Sequence, residues 1–383
     1  MSKRVALLIE TSSVYGRRIL EGIGRSMRIH HGWSVYLEER DLSNELPSWL
    51  ASWQGDGIIS RSWSPQLQDW ADASSIPIVE LTDRREDHMN PHLRSNDAAI
   101  GKLAAQHLLE RGFRSFGFAG FTKEAWAQRR LEAFRDVVSE FPISYYESDW
   151  LGPSVRPWPE LLEELGAWIE MLPKPAGIFA CNDMRGRQVV DACSQMNFTV
   201  PDDVAVVGVD NDELLCNICN PPLSSVFPNA ERLGFRAAEL LKSIMAGEQP
   251  SEQQFDIDPL GVVTRASSDV MAVTDKELSH ALQYIREHAC LGVTVDAVAK
   301  KTGVSRSTLE RKVRRYLSRT PQEQIRHVQI QRAQELLQTS ELSVEEIAHL
   351  CGFEHVEYLH VVFKRLTRIT PGQYRKQCKQ QSP

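Results

Sequence analysis

The stretch VPDDVAVVGVD, residues 200–210, decides the fold of the front part of this chain. Within it, residues 204–209 contain four valines and no charged side chain. Such a short β-branched run is typical of a strand that is buried on both faces, as in parallel sheets. Asp210 follows at the carboxyl end of this strand, where open α/β sheets bind their ligands. The stretch therefore predicts a buried parallel strand with a polar site at its end.

Similar runs alternate with segments of helical period through the front of the chain. Strands are predicted at residues 5–10, 35–38, 57–60, 77–81, 116–119, 143–146, 177–180 and 204–209. Helices, in which apolar residues recur three or four positions apart, are predicted at residues 16–29, 98–111, 125–138, 160–171, 184–196 and 230–245. This alternation predicts an α/β fold with parallel sheets. Because the series ends near Leu81 and restarts near Ser115, we predict two similar α/β lobes.

The composition is that of a globular protein with more than one domain. The chain has 383 residues, 42% of them hydrophobic and 25% charged, so a core can form and disordered or collagen-like classes are excluded. No run approaches the roughly 18 apolar residues that a membrane span needs. The first apolar run ends at Glu10, which is too early for a secretory signal. We expect a cytoplasmic protein with no membrane partner.

The charges are distributed unevenly along the chain. Residues 275–383 carry 18 Lys and Arg against 12 Asp and Glu, a net charge of +6. Residues 1–274 carry 26 against 39, a net charge of −13. A basic tail attracts a polyanion such as nucleic acid, whereas a uniformly acidic enzyme would show no such division.

The seven cysteines are an odd number in a chain without an export signal, so reduced thiols are expected. Cys216 and Cys219 form the only Cys-x-x-Cys pair, and Asn220 and two prolines follow it. A zinc site needs further ligands nearby and a redox motif normally begins a helix, so packing thiols are favoured over metal or redox chemistry. We expect no metal and no cofactor.

Six segments of the front part resemble the effector domain of the LacI/GalR regulators and their periplasmic sugar-binding relatives. In chain order they are NDAAIG at 96–101, HLLERG at 107–112, RRLEAF at 129–134, ACND at 180–183, VPDDVAVVGVD at 200–210 and PPLSSV at 221–226. The resemblance implies a two-lobed, periplasmic-binding-protein-like α/β domain that closes around a sugar. The amino-terminal helix-turn-helix of those regulators is missing from this sequence, which opens on the first predicted strand.

The resemblance implies that Arg130, Asn182 and Asp210 bind a polyol, because a guanidinium, an amide and a carboxylate match adjacent hydroxyl groups. Polar residues after other strands and nearby aromatic rings complete the predicted effector site: Ser13, Tyr15, Arg61, Trp126, Arg130, Asn182, Asp183 and Asp210. Trp63 is a further candidate ring. Core packing is the alternative for each ring, and Asp183 alternatively caps the helix that follows it.

The basic tail repeats one helical pattern, and we predict six helices and no strand in it. TVDAVAKKTGVS at residues 294–305 has a Thr cap, apolar spacing, a glycine that ends the helix and a Ser that caps the next, which predicts a helix-turn-helix. SVEEIAHLCGF at residues 343–353 repeats this arrangement. The predicted reading helices are residues 306–316 and 356–366. In the second of them, the mostly packing positions are predicted to be Tyr358, Leu359, Val362 and Phe363. A long helix at residues 324–338 would hold the two reading helices about 34 Å apart, one turn of duplex.

This tail resembles the AraC family. The resemblance rests on Leu309-x-Arg311, Arg332-x4-Leu337, Val344-x2-Ile347-Ala348-x3-Gly352-Phe353, Phe363-Lys364-Arg365 and Thr370-Pro371-x2-Tyr374-Arg375. It implies that base edges are read by Ser307, Glu310, Arg311, Glu357 and His360. It also implies that phosphates are contacted by Arg306, Arg314, Arg315, Lys364 and Arg365. The alternative for the basic residues is a solvated helix face.

Together the two parts resemble the bacterial xylose-operon regulators, which join a LacI-like sensor to a carboxyl-terminal AraC-like reader. YIREHACLGVTVD at residues 284–296, followed by GVSRS at 303–307, carries this resemblance. It implies an effector domain at residues 1–268 and a DNA-binding domain at residues 275–383. Where that family has an acidic residue in the first loop, this chain has Gly16.

The expected function is a sugar-responsive transcription regulator and not an enzyme. We expect a homodimer that binds double-stranded operator DNA, takes a pentose such as xylose as its effector, and activates pentose genes with RNA polymerase. The link at residues 266–274 would pass closure of the sugar cleft to the reading helices. Two alternatives stay open: a sugar-acting hydrolase with a nucleic-acid tether, and a DNA-binding protein that needs no effector.

Overall fold

The computed structural model describes residues 2–30, 32–41, 47–62, 64–84, 89–150, 155–250, 252–270, 272, 275–317, 319–340 and 342–381. The chain divides into two compact units, Met1–Val270 and Met271–Pro383, which we call the front unit and the rear unit. Among the described helices, none is long and apolar enough to cross a bilayer.

The described part of the front unit contains twelve strands and eight α-helices. The strands are β1 (Lys3–Leu8), β2 (Trp33–Leu37), β3 (Gly57–Ser60), β4 (Ile78–Glu80), β5 (His92–Ser95), β6 (Phe116–Phe121), β7 (Ile143–Ser148), β8 (Ala176–Ala180), β9 (Val204–Val209), β10 (Ser224–Phe227), β11 (Gln254–Ile257) and β12 (Gly261–Val263). The helices are α1 (Val14–His30), α2 (Pro65–Ser74), α3 (Asp97–Glu110), α4 (Ala125–Val137), α5 (Trp158–Met171), α6 (Asp183–Gln195), α7 (Glu213–Ile218) and α8 (Ala230–Met245).

The strands form two six-stranded sheets, one in each lobe. The first has the order β11-β5-β4-β3-β1-β2 and is parallel throughout, and the second has the order β12-β10-β9-β8-β6-β7 and is parallel except for β12. The chain passes three times between the lobes: from β5 to α3, from β10 to α8, and from β11 to β12. The predicted two-lobed α/β architecture with parallel sheets is confirmed.

The alternation of side chains along β1 shows how the first sheet is buried on both faces. Val5 and Leu7 pack into the same core as residues of α1 and α8, whereas Ala6 and Leu8 pack with Leu67 of α2. Each fully buried large aliphatic side chain stabilises the fold by roughly 1.5–3 kcal/mol. The uniformly apolar strands therefore account for the sandwich of helices around each sheet.

The predicted elements of the front unit are present with ends shifted by at most two residues, but β5, β10, β11 and β12 did not stand out in the sequence. These strands are short, and β5, β10 and β11 contain polar residues. In β10, Ser224 and Ser225 are fully buried, and their hydroxyl groups donate to the backbone oxygen of Arg265 and to the carboxylate of Asp183. Hydrogen bonds from distant segments thus allow polar residues inside a sheet.

The described rear unit contains seven α-helices, one more than predicted, and no strand. They are α9 (Lys276–His288), α10 (Val295–Thr302), α11 (Arg306–Leu317), α12 (Pro321–Thr339), α13 (Val344–Leu350), α14 (Val356–Thr367) and α15 (Pro371–Gln381). Thr294 and Ser343 cap α10 and α13 by accepting backbone hydrogen bonds at 3.2 and 3.1 Å. Gly303 and Gly352 follow these helices with φ of 71° and 73°, so the helix pairs α10–α11 and α13–α14 turn in the same way.

Two small hydrophobic cores stabilise the rear unit, and α12 contributes to both. Ile325, near the start of α12, packs into the first core with α9, α10 and α11. Ile330 and Ala333, further along, pack into the second core with α13 and α14. The change from one core to the other falls between Ile325 and Ile330.

Candidate ligand cavity and nucleic-acid interface

A cavity of about 290 Å³ lies between the two lobes of the front unit, beyond the carboxyl ends of β1, β3, β4, β8 and β9. This volume is close to the lower limit of small-molecule sites, roughly 300 Å³. The cavity is lined by Glu10, Ser12, Ser13, Val14, Tyr15, Arg61, Asp83, Arg84, Trp126, Arg130, Trp150, Asn182, Asp183, Met184, Asp210, Asp212 and Leu215. All eight residues of the predicted effector site are among them. Trp63 lies outside the described residues.

The wall of the first lobe is built around Arg61. Its guanidinium forms ion pairs with Glu10 and, at 3.3 Å, with Asp83, and it lies 4.6 Å from the centroid of the Tyr15 ring. Although burial opposes it, the carboxylates of Glu10 and Asp83 raise the pKa of Arg61. Burial raises the pKa of Tyr15, whose hydroxyl shares a 2.7 Å hydrogen bond with Ser95. The Nε of Arg61 is buried and has no hydrogen-bond acceptor within the described chain.

The wall of the second lobe is built around Arg130. Its Nε donates to Asp97 at 2.8 Å, its Nη1 donates to the backbone oxygen of Cys181 at 2.6 Å, and its guanidinium lies 4.7 Å from the centroid of the Trp126 ring. Burial opposes a charge here, but Asp97 and Asp210 raise the pKa of Arg130. This cation is therefore held in place before any ligand arrives.

Asp183 and Asp210 have different surroundings although both line the cavity. The carboxylate of Asp183 accepts hydrogen bonds from Ser225 Oγ at 2.6 Å and from the backbone N–H of Asp212 at 2.7 Å. Burial and the neighbouring Asp210 raise the pKa of Asp183. Burial also raises the pKa of Asp210, although Arg130 and other arginines oppose this. The Asp210 side chain makes no hydrogen bond to any described residue, so it is the open carboxylate of the cavity.

Asn182, not Asp183, caps α6, because the Asn182 side chain accepts a hydrogen bond from the backbone N–H of Arg185 at 2.9 Å. Asp210 has a φ of 109°, and Asn211 after it has a φ of 48°. A non-glycine residue at the first of these angles is strained, and such strain is found at ligand sites. The loop after β9 is therefore held in an unfavourable backbone conformation by its neighbours.

Three arginines of the described chain connect the lobes beside the cavity. Arg18 of α1 donates to the backbone oxygens of Asp210 and the following residue at 2.5 and 2.9 Å. Arg84 pairs with Glu124 at 2.6 Å, and Arg129 of α4 donates at 3.1 Å to a backbone oxygen that follows β4. These bonds cross the cleft, so their number depends on how far the lobes are closed.

Glu10, Asp83 and Trp150 are cavity residues that the sequence analysis missed. Trp150 stacks on Phe121 with the ring centroids 5.1 Å apart and an angle of 12° between the planes. A Cβ atom at Gly16 would collide with the backbone oxygen of Glu10 and lie 2.8 Å from its carboxyl carbon, so a larger residue here would displace Glu10. Glu10 was predicted as the last residue of a strand, at the end where ligand sites form, whereas Asp83 and Trp150 lie in loops without a motif.

The first reading helix, α11, presents a charged face. Ser307, Arg311, Arg314 and Arg315 are exposed, and Arg311 has no hydrogen bond or ion pair within the described chain. Arg306 pairs with Asp296 at 2.9 Å and with Glu310 at 3.3 Å. These exposed ion pairs are weak and break easily when a phosphate competes.

The second reading helix, α14, presents a less charged face. Glu357, His360, Lys364 and Arg365 are exposed. Leu359, Val362 and Phe363 are buried as predicted, but 48% of Tyr358 is exposed. Tyr358 was predicted as a mostly packing position, and that prediction is wrong, because about half of the residue is exposed although its ring lies beside Arg326.

Known proteins are similar to this chain over almost its full length. The chain is 30% identical over 380 residues to a xylose operon regulatory protein of Escherichia coli K12, with 97% of this chain and 96% of the relative covered. The chain belongs to the family of xylose operon regulatory proteins. The member from Haemophilus influenzae is also 30% identical, over 98% of each chain. The structure of a xylose-binding transcription activator matches with a TM-score of 0.76 and 29% identity, over 98% of both chains.

Three family models match consecutive parts of the chain. They are a XylR N-terminal domain at residues 4–94, a periplasmic binding protein-like domain at residues 105–268 and a helix-turn-helix domain at residues 298–377. This member of the family is therefore a sugar-responsive transcription regulator with a carboxyl-terminal DNA-binding domain.

Proposed function

We propose that this regulator binds a pentose, with xylose favoured, in the cavity between the lobes of the front unit. The observation that carries the proposal is an open carboxylate in a cavity that also holds two buried guanidinium groups. The carboxylate of Asp210 makes no hydrogen bond to a described residue, while Arg61 pairs with Glu10 and Asp83 and Arg130 pairs with Asp97. A carboxylate beside fixed guanidinium groups matches the adjacent hydroxyl groups of a polyol, each of which donates and accepts. The names of the relatives, which refer to xylose, support a pentose.

The residues predicted for the effector site divide into two groups in this proposal. Arg61, Arg130, Asn182 and Asp210 bind hydroxyl groups, and Trp126 covers an apolar face of the ring together with Trp150. Ser13 acts through Glu10, to which it donates a hydrogen bond at 2.8 Å. Tyr15 supports Arg61, and Asp183 holds the loop after β9 through the backbone of Asp212.

Sugar closes the cleft because it binds both lobes at once, which favours the closed population. The signal leaves through the segment after β12. Arg265 donates to the side chain of Asn211 at 2.7 Å and to the backbone oxygen of Leu223 at 3.0 Å. Asn211 follows the open carboxylate directly, so Arg265 connects the sugar loop to the segment that leads to the rear unit. The link at residues 266–274 lies only partly within the described residues.

In the rear unit we propose that Ser307, Glu310, Arg311, Glu357 and His360 read bases, and that Arg306, Arg314, Arg315, Lys364 and Arg365 contact phosphates. A homodimer would bind operator DNA in the cytoplasm and recruit RNA polymerase to activate pentose genes. Footprinting with pentose on the promoter beside its own gene tests this. Absence of protection at moderate salt would contradict it.

We propose no enzymatic activity. A hydrolase needs two carboxyl groups free to act across a bond, whereas Asp183 is occupied by three donors, including Cys216 Sγ at 3.4 Å. Recovery of unaltered sugar after long incubation checks this, and any turnover would refute it.

The central test is Asp210→Ala. Loss of one charge-assisted hydrogen bond weakens xylose binding by roughly 10- to 150-fold, while operator binding without sugar is unchanged. Calorimetry measures the first quantity and fluorescence anisotropy the second. Asp136→Ala, at an exposed position on α4, is the control. Equal xylose affinity in Asp210→Ala and the unaltered protein would refute the assignment.

Arg265→Met tests the route of the signal. We expect xylose affinity within about twofold of the unaltered protein, because Arg265 does not line the cavity, but a much smaller effect of xylose on operator affinity. Arg114→Met is the control, since the Arg114 guanidinium likewise donates to two oxygens, the backbone oxygens of Leu109 and Phe113, away from this route. An unchanged response in Arg265→Met would exclude the route.

A further inference from the structure

A buried amide lies where α12 passes from the first core of the rear unit to the second. Gln329 is 1% exposed, and its Nε2 donates to the backbone oxygen of Ala289 at 2.9 Å and to that of Gly352 at 3.3 Å. We call the helices around the first core the first bundle and those around the second core the second bundle. Ala289 follows α9 in the first bundle, and Gly352 is the turn glycine of the helix-turn-helix in the second bundle. One side-chain amide therefore bonds the backbones of both bundles.

The two bundles also touch directly at this point. A Cβ atom at Gly352 would lie 2.7 Å from the backbone oxygen of Cys290 and 3.0 Å from Nε2 of Gln329. The equivalent Gly303 has open space around its missing Cβ. A glycine is thus needed at position 352 for two reasons: the close approach to the backbone of Cys290 and the left-handed backbone conformation.

Arg326 extends this contact to the second reading helix. It donates to Oε1 of Gln329 at 2.7 Å, which leaves the amide fully engaged. Its guanidinium lies 5.2 Å from the centroid of the Phe353 ring and 4.9 Å from that of Tyr358 on α14.

We propose that Gln329 and Arg326 are positioning residues that fix the rotation of α14 relative to α11, and thereby set the distance that one protomer accepts between the two major-groove segments read by these helices. This inference rests on the proposed reading of DNA by both helices. Neither residue belongs to either hydrophobic core, so their role is to join two bundles that are each stabilised by their own apolar contacts. Because successive base pairs turn by about one-tenth of a helical turn, a fixed junction distinguishes spacings that differ by one base pair.

The experiment uses the full chain and a promoter fragment on which the two major-groove segments contacted by one protomer have been located by footprinting. A second fragment carries one extra base pair between them. We expect the unaltered protein to bind the second fragment about tenfold or more weakly. In Gln329→Leu this ratio falls to about threefold or less, because affinity decreases mainly on the natural spacing. Gln334→Leu, on the same helix but without a hydrogen bond among the described residues, keeps the original ratio.

Arg326→Met provides a second route if Gln329→Leu fails to fold, and it should reduce the ratio in the same direction. A purely structural role would lower affinity for both fragments by one factor. An unchanged ratio in the folded variants overturns the inference while leaving the proposed function intact. No footprint from the unaltered protein would instead contradict the proposed reading of DNA.

Discussion

The two helix-turn-helix units of the rear unit share a backbone plan but differ in surface and attachment. Each has a capped first helix and a turn glycine with nearly the same φ, 71° at Gly303 and 73° at Gly352. The first reading helix presents a row of exposed arginines, whereas the second presents apolar surface, with Val361 63% exposed and Tyr358 48% exposed. Only the second turn is packed against other backbone. A repeated motif can thus supply charge in one copy and a fixed junction in the other.

The largest expected difference between the two helix-turn-helix motifs is in how much stability is lost when the turn glycine is replaced by alanine. Gly303→Ala should lower the free energy of unfolding by about 1–2 kcal/mol, because alanine is strained in the left-handed backbone conformation. Gly352→Ala adds overpacking of about 1–3 kcal/mol, because the new Cβ meets the oxygen of Cys290. Chemical unfolding followed by far-ultraviolet circular dichroism measures both, since all nine tryptophans precede residue 270 and fluorescence would report the front unit. Equal destabilisation would show that the second turn is not an interface.

A smaller difference is expected in operator affinity. Arg311→Ala removes a side chain available to pair with guanine and weakens binding by about 1–3 kcal/mol, roughly 5- to 150-fold. His360→Ala, at an exposed position of the second reading helix, should cost less than about fivefold. Fluorescence anisotropy at fixed salt checks both. If the two losses of affinity are equal, the two helix-turn-helix motifs contribute equally to DNA binding, and the first does not supply most of the charge contacts.

The smallest expected effect is in the salt dependence of binding. Lys312 of α11 is already bonded to Asp275 and Glu277 at 2.7 Å each, so Lys312→Met should leave the slope of log affinity against log salt unchanged. Lys364 of α14 is exposed, and Lys364→Met should reduce the slope by about 0.9, the value for one phosphate contact. A reversed pattern would place Lys312 on DNA and Lys364 in solvent.

Much of the fold was predictable because its signals are local. The valine-rich run of β9 and the caps at Thr294 and Ser343 indicate strands and helices without knowledge of the rest of the chain. The strand β10 was not predictable, because its buried serines are compatible with a sheet only through bonds to Asp183 and to the segment after β12.

Cavity residues were likewise predictable where the signal is local and not predictable where it depends on distant parts of the chain. Asp210 and Asn182 were predictable because they end buried strands of one lobe. Asp83 and Trp150 were not, since their place at the cavity depends on ion pairs and ring stacking across loops. The exposure of Tyr358 was also hidden, because the ring is supported by Arg326 from another helix.

The three passages of the chain between the lobes have a consequence for how this protein can be divided. The matched families meet between residues 94 and 105, which suggests a natural place to cut. A fragment ending there would lack β11, which is the edge strand of the first sheet, and α8, which packs against that sheet. During synthesis on a ribosome, the amino-terminal lobe therefore cannot be complete until most of the front unit has emerged. The part of the sugar cavity that this lobe supplies is finished only after residues 230–257 have been made.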